Sequence, residues 1–316
     1  MSSLLRLPAP KLPAPPPYTS IKKALMKDDR GFQTSKLGSG TFGEVHLADV
    51  IIKGKRIPNV VVKQMTYDPN RAKSIQRELD ILREVQNSPY TVHMISASMN
   101  PATQKFEIIM EYLYKIDLDK VMPYAFKAAT IKHLLHGLAW IHSKGIVHGD
   151  IKLENIMLRK FSDGSSVPVF TDFGLSCLEP KWTCFGTGTP RYMHPDLLGT
   201  LWSKQAKIPV NQMQVNVVES REYDLYALGV ALWELMMNET FYVEELIQEA
   251  TVADLDPNHW PEFKKQHAKM VDLAKRDLKN TFPFANQKPF VDVISDMLSI
   301  NAGTKFTAAN LAQRLP

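Results

Sequence analysis

Apolar residues alternate with polar ones in short runs up to about residue 113, and they recur at helical spacing after it. The short runs, rich in β-branched residues and bounded by turns, predict strands. Arg71–Val85 instead has Ile75, Leu79 and Leu82 three or four residues apart, which predicts an amphipathic helix. The predicted strands are Lys36–Leu37, Glu44–Val50, Val60–Met65 and Glu107–Leu113.

Helical spacing dominates the rest of the chain. Ala128–Lys144 and Phe290–Ser299 carry apolar residues along one face, and Tyr223–Met237 is apolar on most sides, which predicts a buried helix. Strands followed by helices predict an α+β fold with two lobes, a small β-rich N-lobe and a larger α-helical C-lobe.

Composition excludes several classes of function. The 316 residues, 44% of them hydrophobic, suffice for one large domain or two modest lobes. We attribute the net charge of +5 to a cationic cleft and predict no binding of nucleic acid. No apolar run reaches the ~18 residues of a membrane span. With only two cysteines, we predict a reducing compartment and a cytoplasmic location, with the nucleus and a host-cell cytosol as alternatives.

Residues 1–29 form a proline-rich segment that we predict to be a disordered tail. Within it, Pro15-Pro16-Pro17-Tyr18 resembles the PPxY ligand of WW domains. A WW-domain partner is one interpretation. A solvated linker is the other, and we favour it because short proline motifs match by accident.

A glycine-rich segment, Leu37-Gly38-Ser39-Gly40-Thr41-Phe42-Gly43-Glu44-Val45, follows the pattern G-x-G-x-x-G-x-V. Glycines let the backbone approach phosphate oxygens and donate N–H groups to them. A Rossmann fold would need a helix directly after the third glycine, whereas Val45–Val50 predicts a strand. The pattern therefore favours a hairpin over nucleotide phosphates, with a simple glycine turn as the alternative.

Two charged residues lie within apolar patterns. Lys63 ends the run Val60-Val61-Val62, and Glu78 lies on the apolar stripe of the first predicted helix. Because a charge on a buried face needs a partner, we predict a Lys63–Glu78 ion pair that leaves the lysine able to contact α- and β-phosphates. Two separate surface charges are the alternative.

The segment His148-Gly149-Asp150-Ile151-Lys152-Leu153-Glu154-Asn155 precedes Asp172-Phe173-Gly174 in the chain. It supplies a carboxylate that can accept a proton and a lysine that can stabilise a phosphate. Asn155 and Asp172 supply the oxygen ligands that Mg²⁺ prefers. This set of groups predicts phosphoryl transfer from a nucleotide.

These motifs, in this order, resemble those of eukaryotic-type protein kinases of the Ser/Thr class, over about residues 30–312. Gly188–Asp196 and Asp224–Gly229 resemble the family's peptide-binding loop and the start of its central helix. The resemblance implies a bilobal protein-kinase fold with N-lobe 30–110, hinge 111–116 and C-lobe 117–312. It also implies ATP, Mg²⁺ (with Mn²⁺ as the alternative) and protein substrates with Ser/Thr acceptors.

The resemblance also implies a role for each matching residue. Asp150 would orient or deprotonate the substrate hydroxyl, Lys152 would stabilise the γ-phosphate, and Thr189 would hydrogen-bond near both. Asn155 and Asp172 would bind metal. The nucleotide-binding residues would be Leu37, Gly38, Gly40 and Gly43 of the glycine-rich segment, Val45, Val61 and Met157 around adenine, Lys63 paired with Glu78, Met110 as gatekeeper, the backbones of Glu111 and Leu113, and Asp117 at the ribose.

The chain departs from the family pattern at two functional positions. Gly149 replaces the arginine that pairs with a phosphorylated activation-loop residue. We therefore predict that activity does not require phosphorylation within Leu175–Thr187. Asp196 replaces the family's glutamate, and its expected partner is Lys305.

Three segments outside the motifs carry weaker predictions. Thr200–Arg221 is longer than the family's usual link, and we favour a mobile loop over a substrate-docking insertion. For Cys177 and Cys184 we favour two unbonded thiols over a redox-controlled disulfide. The Lys-rich segment from Lys264 to Lys279 predicts a solvated helix face.

Two other functions compete with a protein kinase. A small-molecule phosphotransferase would share His148-Gly149-Asp150 and Asn155. It would not have a lysine at position 152 or the peptide-binding loop, and this chain has both. A pseudokinase that acts as a binding module would lack at least one of the residues that the chemistry needs, and this chain has all of them.

Overall fold

The computed structural model describes residues 35–40, 43–52, 55–66, 72–100, 104–117, 122–178, 188–206, 220–242, 260–299 and 306–316. Within these ranges, no helix has both the length and the apolar character that crossing a bilayer requires. The predicted proline-rich tail and its PPxY motif lie outside the described residues.

The first lobe is a five-stranded antiparallel sheet in the order β1-β2-β3-β5-β4, with one helix. The helix confirms the predicted amphipathic element, because its apolar stripe is buried. The elements are β1 (Ser35–Gly40), β2 (Gly43–Ile52), β3 (Lys55–Thr66), α1 (Ala72–Val85), β4 (Met94–Asn100) and β5 (Lys105–Glu111).

The sequence analysis missed β4. Ser96, Ala97 and Ser98 interrupt the apolar alternation of this strand, so its pattern resembled a polar loop. The strand forms because its backbone pairs with β5 along its length, with Ala97 opposite Ile108. Tertiary pairing therefore overrides a weak local preference here.

The second lobe is mainly helical and is built around the helix α4 (Ser220–Met237). The residues of α4 from Leu225 to Met236 are almost all buried, as its pattern predicts, and Trp233 donates a hydrogen bond to the Ala274 carbonyl at 2.8 Å. Around it lie α2 (Tyr124–Ser143), α3 (Pro195–Ala206), α5 (Trp260–Thr281), α6 (Lys288–Met297) and α7 (Ala308–Ala312).

Five short strands lie beside these helices and carry the loops of the candidate site. They are β6 (Tyr114–Lys115), β7 (Ile146–Val147), β8 (Ile156–Lys160), β9 (Ser166–Phe170) and β10 (Cys177–Leu178). β6, β8 and β9 form one sheet, and β7 pairs with β10. The α+β architecture with a β-rich first lobe and a helical second lobe is thus confirmed.

One prediction about a segment of the second lobe is wrong in part, and another holds with one exception. Thr200–Arg221 is not a loop throughout, because its first residues, up to Ala206, belong to α3 and its last two to α4. Residues 207–219 lie outside the described part of the chain. The Lys-rich face of α5 is mostly exposed, as predicted, and the exception is Lys264, which binds Asp196 at 2.8 Å.

Candidate active site

The first lobe contributes a buried ion pair to the candidate site. The Lys63 ammonium lies 2.7 Å from Glu78 Oε1, and the two side chains are only 8% and 6% exposed. β3 points Lys63 towards α1, and α1 presents Glu78 from its buried stripe. The predicted pair is therefore present, and the buried position makes each charge depend on the other.

Lys63 also lies 3.0 Å from Asp172 Oδ1, a contact across 109 positions of sequence. Burial works to raise the pKa of the Asp172 carboxyl, but the Lys63 ammonium outweighs it, and the pKa lies below its ordinary value. Burial likewise works to lower the pKa of Lys63, and Glu78 and Asp172 together raise it. Both groups are therefore charged at neutral pH.

The segment before Asp150 is held by a buried carboxylate on the central helix. Asp224 accepts hydrogen bonds from the backbone N–H groups of His148 and Gly149, at 2.7 and 2.9 Å, and lies 2.9 Å from His142 Nε2. The His148 ring contacts the Thr171 carbonyl at 3.0 Å and packs beside Phe173. These contacts fix the loop between β7 and β8 on the rigid α4.

Asp150 lies at the centre of a cluster of four polar side chains. Thr189 Oγ1 donates to Asp150 Oδ1 at 3.0 Å, and the Lys152 ammonium lies 3.0 Å from Asp150 Oδ2 and 2.8 Å from Thr189 Oγ1. Asn155 Nδ2 donates to the Asp150 backbone carbonyl at 2.8 Å and to Asp150 Oδ2 at 3.2 Å. The sequence predicted all four members, and the fold brings them together.

Gly149 has a backbone conformation that other residues rarely adopt. Its φ is +79°, and a Cβ built there would lie 2.9 Å from the Leu175 carbonyl oxygen. The loop conformation therefore favours a residue without a side chain at this position, in addition to the functional effect of losing the arginine.

A cavity of about 570 Å³ opens between the two lobes. Most of the predicted nucleotide-binding residues line it, but Gly40, Gly43 and Asp117 are not part of the lining that the described residues form. Gly40 and Gly43 are instead paired in the β1–β2 hairpin, and Asp117 is exposed. The predicted residues in the lining are Leu37, Gly38, Val45, Val61, Lys63, Glu78, Met110, Glu111, Leu113, Asn155, Met157 and Asp172.

The sequence analysis assigned no role in nucleotide binding to seven residues that line the cavity, namely Leu82, Val92, Tyr112, Lys115, Glu154, Thr171 and Phe173. Tyr112 and Lys115 lie within the predicted hinge 111–116, which was the available signal for both. Val92 and Thr171 lie at the β9 end, where the Val92 N–H donates to the Phe170 carbonyl at 3.0 Å. Only the fold brings that pair to the cavity.

The hinge residue Glu111 uses its side chain for structure. Its carboxylate accepts a hydrogen bond from Arg159 Nε at 2.8 Å and from the His93 N–H at 2.8 Å. The Glu111 N–H donates to the His93 carbonyl at 3.1 Å and is therefore unavailable to a ligand. A nucleotide would meet only the carbonyl side of this residue.

Asn155 and Asp172 could provide two ligands of a divalent cation whose remaining ligands come from other molecules. Asn155 uses its amide nitrogen to hold Asp150, so its oxygen remains the atom suited to a metal. Among the described residues, no group of three or more His, Cys, Asp or Glu side chains could hold a metal by itself. Two oxygen ligands beside a cavity match Mg²⁺, which usually takes further oxygens from phosphates and water.

Two contacts of the segments that flank the site differ from the sequence analysis. Cys177 is disulfide-bonded, so the favoured interpretation of two unbonded thiols is wrong. The other cysteine, Cys184, lies outside the described residues, as does Lys305. Asp196 is buried and bonds to Lys264 at 2.8 Å, a partner on α5 that the sequence did not indicate.

Comparison with known proteins agrees with this geometry. The sequence profile of the family described as protein kinase domain matches residues 32–315. The chain is 31% identical over 211 residues to CBL-interacting serine/threonine-protein kinase 13 of Arabidopsis thaliana, covering 63% of this chain and 38% of that protein. It is 30% identical over 213 residues to serine/threonine-protein kinase pakH of Dictyostelium discoideum, covering 65% of this chain and 37% of that protein.

A third relative matches over a longer part of the chain. Serine/threonine-protein kinase 36 of Pongo abelii is 27% identical over 300 residues, which cover 86% of this chain and 20% of that protein. The chain therefore spans well under half of the length of these curated relatives.

Proposed function

Because this chain belongs to the protein kinase domain family, we propose that it transfers the γ-phosphate of ATP to serine and threonine hydroxyls of protein substrates. The observation that carries the proposal is the cluster of Asp150, Lys152, Thr189 and Asn155 beside the Lys63–Glu78–Asp172 ion pairs. Phosphoryl transfer needs groups that position the nucleotide and neutralise developing charge, and these residues supply them.

We assign each residue a role in that reaction. Asp150 orients the acceptor hydroxyl and receives its proton, and its hydrogen bonds from Thr189 and Asn155 keep its carboxylate in one orientation. Lys152, whose ammonium lies 3.0 Å from Asp150 Oδ2, stabilises the γ-phosphate. Lys63, held by Glu78, contacts the α- and β-phosphates.

ATP would occupy the cavity between the lobes, with Mg²⁺ as its divalent partner and Mn²⁺ as the alternative. Asn155 and Asp172 would bind the metal, which when bound neutralises phosphate charge. Adenine would lie between Val45, Val61 and Met157, which all line the cavity. Gly40, Gly43 and Asp117 remain candidates for contacts to a bound nucleotide.

We further propose the domain boundaries N-lobe 30–110, hinge 111–116 and C-lobe 117–312. Activity without phosphorylation in Leu175–Thr187 also remains a prediction, supported by Gly149. Thr183 and Thr187, the residues concerned, lie outside the described residues. A cytoplasmic location stays a prediction from sequence, and a WW-domain partner stays one of the two interpretations of the PPxY motif.

The test measures transfer of labelled γ-phosphate from Mg-ATP to a serine/threonine peptide, a tyrosine peptide and small alcohols. We expect labelling of the serine/threonine peptide alone, and loss of that activity in Asp150→Ala and Lys63→Met. Lys265→Met, an exposed lysine on α5, is the matched control. No labelling above background by either wild type or Asp150→Ala would indicate a binding module, and transfer to alcohols alone would indicate a small-molecule kinase.

A further inference from the structure

A second cavity, of about 730 Å³, adjoins the nucleotide cavity. Lys115 and Glu154 line both cavities, so a ligand in the second would lie next to a nucleotide in the first. Glu154 immediately precedes Asn155, and Arg191 follows the Asp150 partner Thr189 by two positions. The second cavity is therefore placed where an acceptor peptide would approach Asp150.

The wall of this cavity is rich in hydrogen-bond acceptors. It includes the carboxylates of Glu154, Glu234 and Glu239, together with Asn238. The Asn238 side-chain oxygen is buried and has no hydrogen-bond partner among the described residues. Acceptors at this density suit a cation with several N–H donors, and a guanidinium has five.

Arg191, from the chain itself, already lies between two of these carboxylates. Its Nε is 3.1 Å from Glu234 Oε1, and its Nη2 is 3.7 Å from Glu154 Oε1. The Glu234 side chain is only 3% exposed and also accepts hydrogen bonds from Tyr192 and the Phe241 N–H. A buried carboxylate of this kind needs a compensating charge, and Arg191 supplies it.

We propose that Arg191 is a specificity-determining residue. It fills a guanidinium-binding site beside the catalytic loop, so the wild-type protein does not favour peptide substrates that carry an arginine at the matching position. The proposal rests on the kinase activity proposed above. It follows that removing Arg191 opens a site for an arginine side chain of the substrate, held by Glu154 and Glu234. A charge-assisted pair of this kind changes affinity roughly tenfold or more.

The experiment compares wild type, Arg191→Ala, Arg191→Lys, Glu154→Gln and the double variant Arg191→Ala/Glu154→Gln. Each is assayed on a peptide library in which arginine or alanine is placed in turn at every position around one serine. We expect wild type and Arg191→Lys to show no arginine preference in kcat/KM. Arg191→Ala should prefer arginine roughly tenfold at one or two positions, and the double variant should lose most of that gain.

Glu154→Gln makes a suitable partner variant because the Glu154 side chain is 61% exposed, so its loss should not unfold the protein. A wild-type preference for arginine that Glu154→Gln removes would overturn the proposal. A folded, active Arg191→Ala without any arginine preference would also overturn it. If no variant phosphorylates any peptide, the proposed function fails instead, and the two failures are thus distinguishable.

A binding measurement tests the site without catalysis. Ethylguanidinium, a small mimic of the arginine head group, should raise the Tm of Arg191→Ala and leave that of wild type unchanged, because only the variant has the site open. Arg191→Gln, which keeps part of the side-chain stem, replaces Arg191→Ala if the latter does not fold. Equal shifts in wild type and variant would refute the assignment of Arg191 as the occupant.

Discussion

Replacing Gly149 with alanine tests whether the catalytic loop requires a residue without a side chain. At Gly149 two effects act together, a φ of +79° and a built Cβ 2.9 Å from the Leu175 carbonyl oxygen. Gly145, which lies just before β7, offers a matched control, because its φ is +69° and nothing lies within 4 Å of its built Cβ. The difference between the two variants isolates the steric contact.

The magnitudes follow from these geometries. A positive φ costs an alanine about 1–2 kcal/mol, and the lower entropy of the unfolded chain returns about 0.4–1 kcal/mol of this. Gly145→Ala should therefore destabilise by about 1 kcal/mol. The added contact with backbone at Gly149 costs roughly a further 1–3 kcal/mol, as overpacking does elsewhere. Gly149→Ala should then destabilise by about 2–4 kcal/mol, which lowers Tm by roughly 5–10 °C.

The assay combines thermal unfolding with phosphate transfer. Leu175 directly follows Asp172-Phe173-Gly174, and Gly149 directly precedes Asp150, so the added Cβ would push apart the two segments that carry the reacting groups. We expect Gly149→Ala to lose between about tenfold and a hundredfold in kcat, and Gly145→Ala to stay near wild type. Equal Tm losses in the two variants, or full activity of Gly149→Ala, would refute this reasoning.

Two further predictions concern the packing around α5. Lys264→Met removes the ammonium that compensates the buried Asp196 carboxylate, and should lower the free energy of unfolding by about 1–3 kcal/mol in urea titration. The control Lys265→Met, at a mostly exposed lysine, should change the free energy of unfolding by less than about 0.5 kcal/mol. Similar losses in the two variants would contradict the pairing of Lys264 with Asp196. Burial, with repulsion from His194 and Lys264, lowers the pKa of His267 to about 3. The unfolded chain therefore takes up a proton below about pH 6.5 that the folded chain does not, and stability falls by up to about 1.4 kcal/mol per pH unit as the pH decreases from 6.5 towards 3. Urea titrations at pH 7, 6 and 5 should show a shallower fall for His267→Gln than for wild type, and parallel curves would count against the buried neutral imidazole.

Much of the candidate site was predictable because its residues occur in compact motifs. Asp150, Lys152 and Asn155 lie within six residues, and a 3₁₀ turn at Leu153–Asn155 brings the asparagine back towards the aspartate. Lys63 and Glu78 could be paired from sequence because each charge interrupts an apolar pattern and needs a partner. In both cases the local pattern limits the number of suitable partners.

The sequence analysis missed contacts where several partners were chemically equivalent. For Asp196 the sequence indicated Lys305, which lies outside the described residues, and it gave no sign of Lys264, which the packing of α3 against α5 brings to 2.8 Å. The sequence analysis assigned Glu234 and Arg191 no role. They are more than forty positions apart, and no local pattern indicates that they are in contact. The ion pair between the partly exposed Arg191 and the buried Glu234, beside the catalytic loop, is the contact on which their proposed role in specificity rests.

The sequence by itself determined the two-lobed architecture, the buried central helix and the identity of the groups for phosphoryl transfer. These follow from periodicity and from short motifs, which act over a few residues of covalently connected chain. The tertiary structure decided that Lys63 meets Asp172, that only glycine fits at position 149, and that Arg191 occupies an acidic cavity. Such contacts join segments far apart in sequence, and their energies depend on packing and loss of water, which a local pattern does not specify.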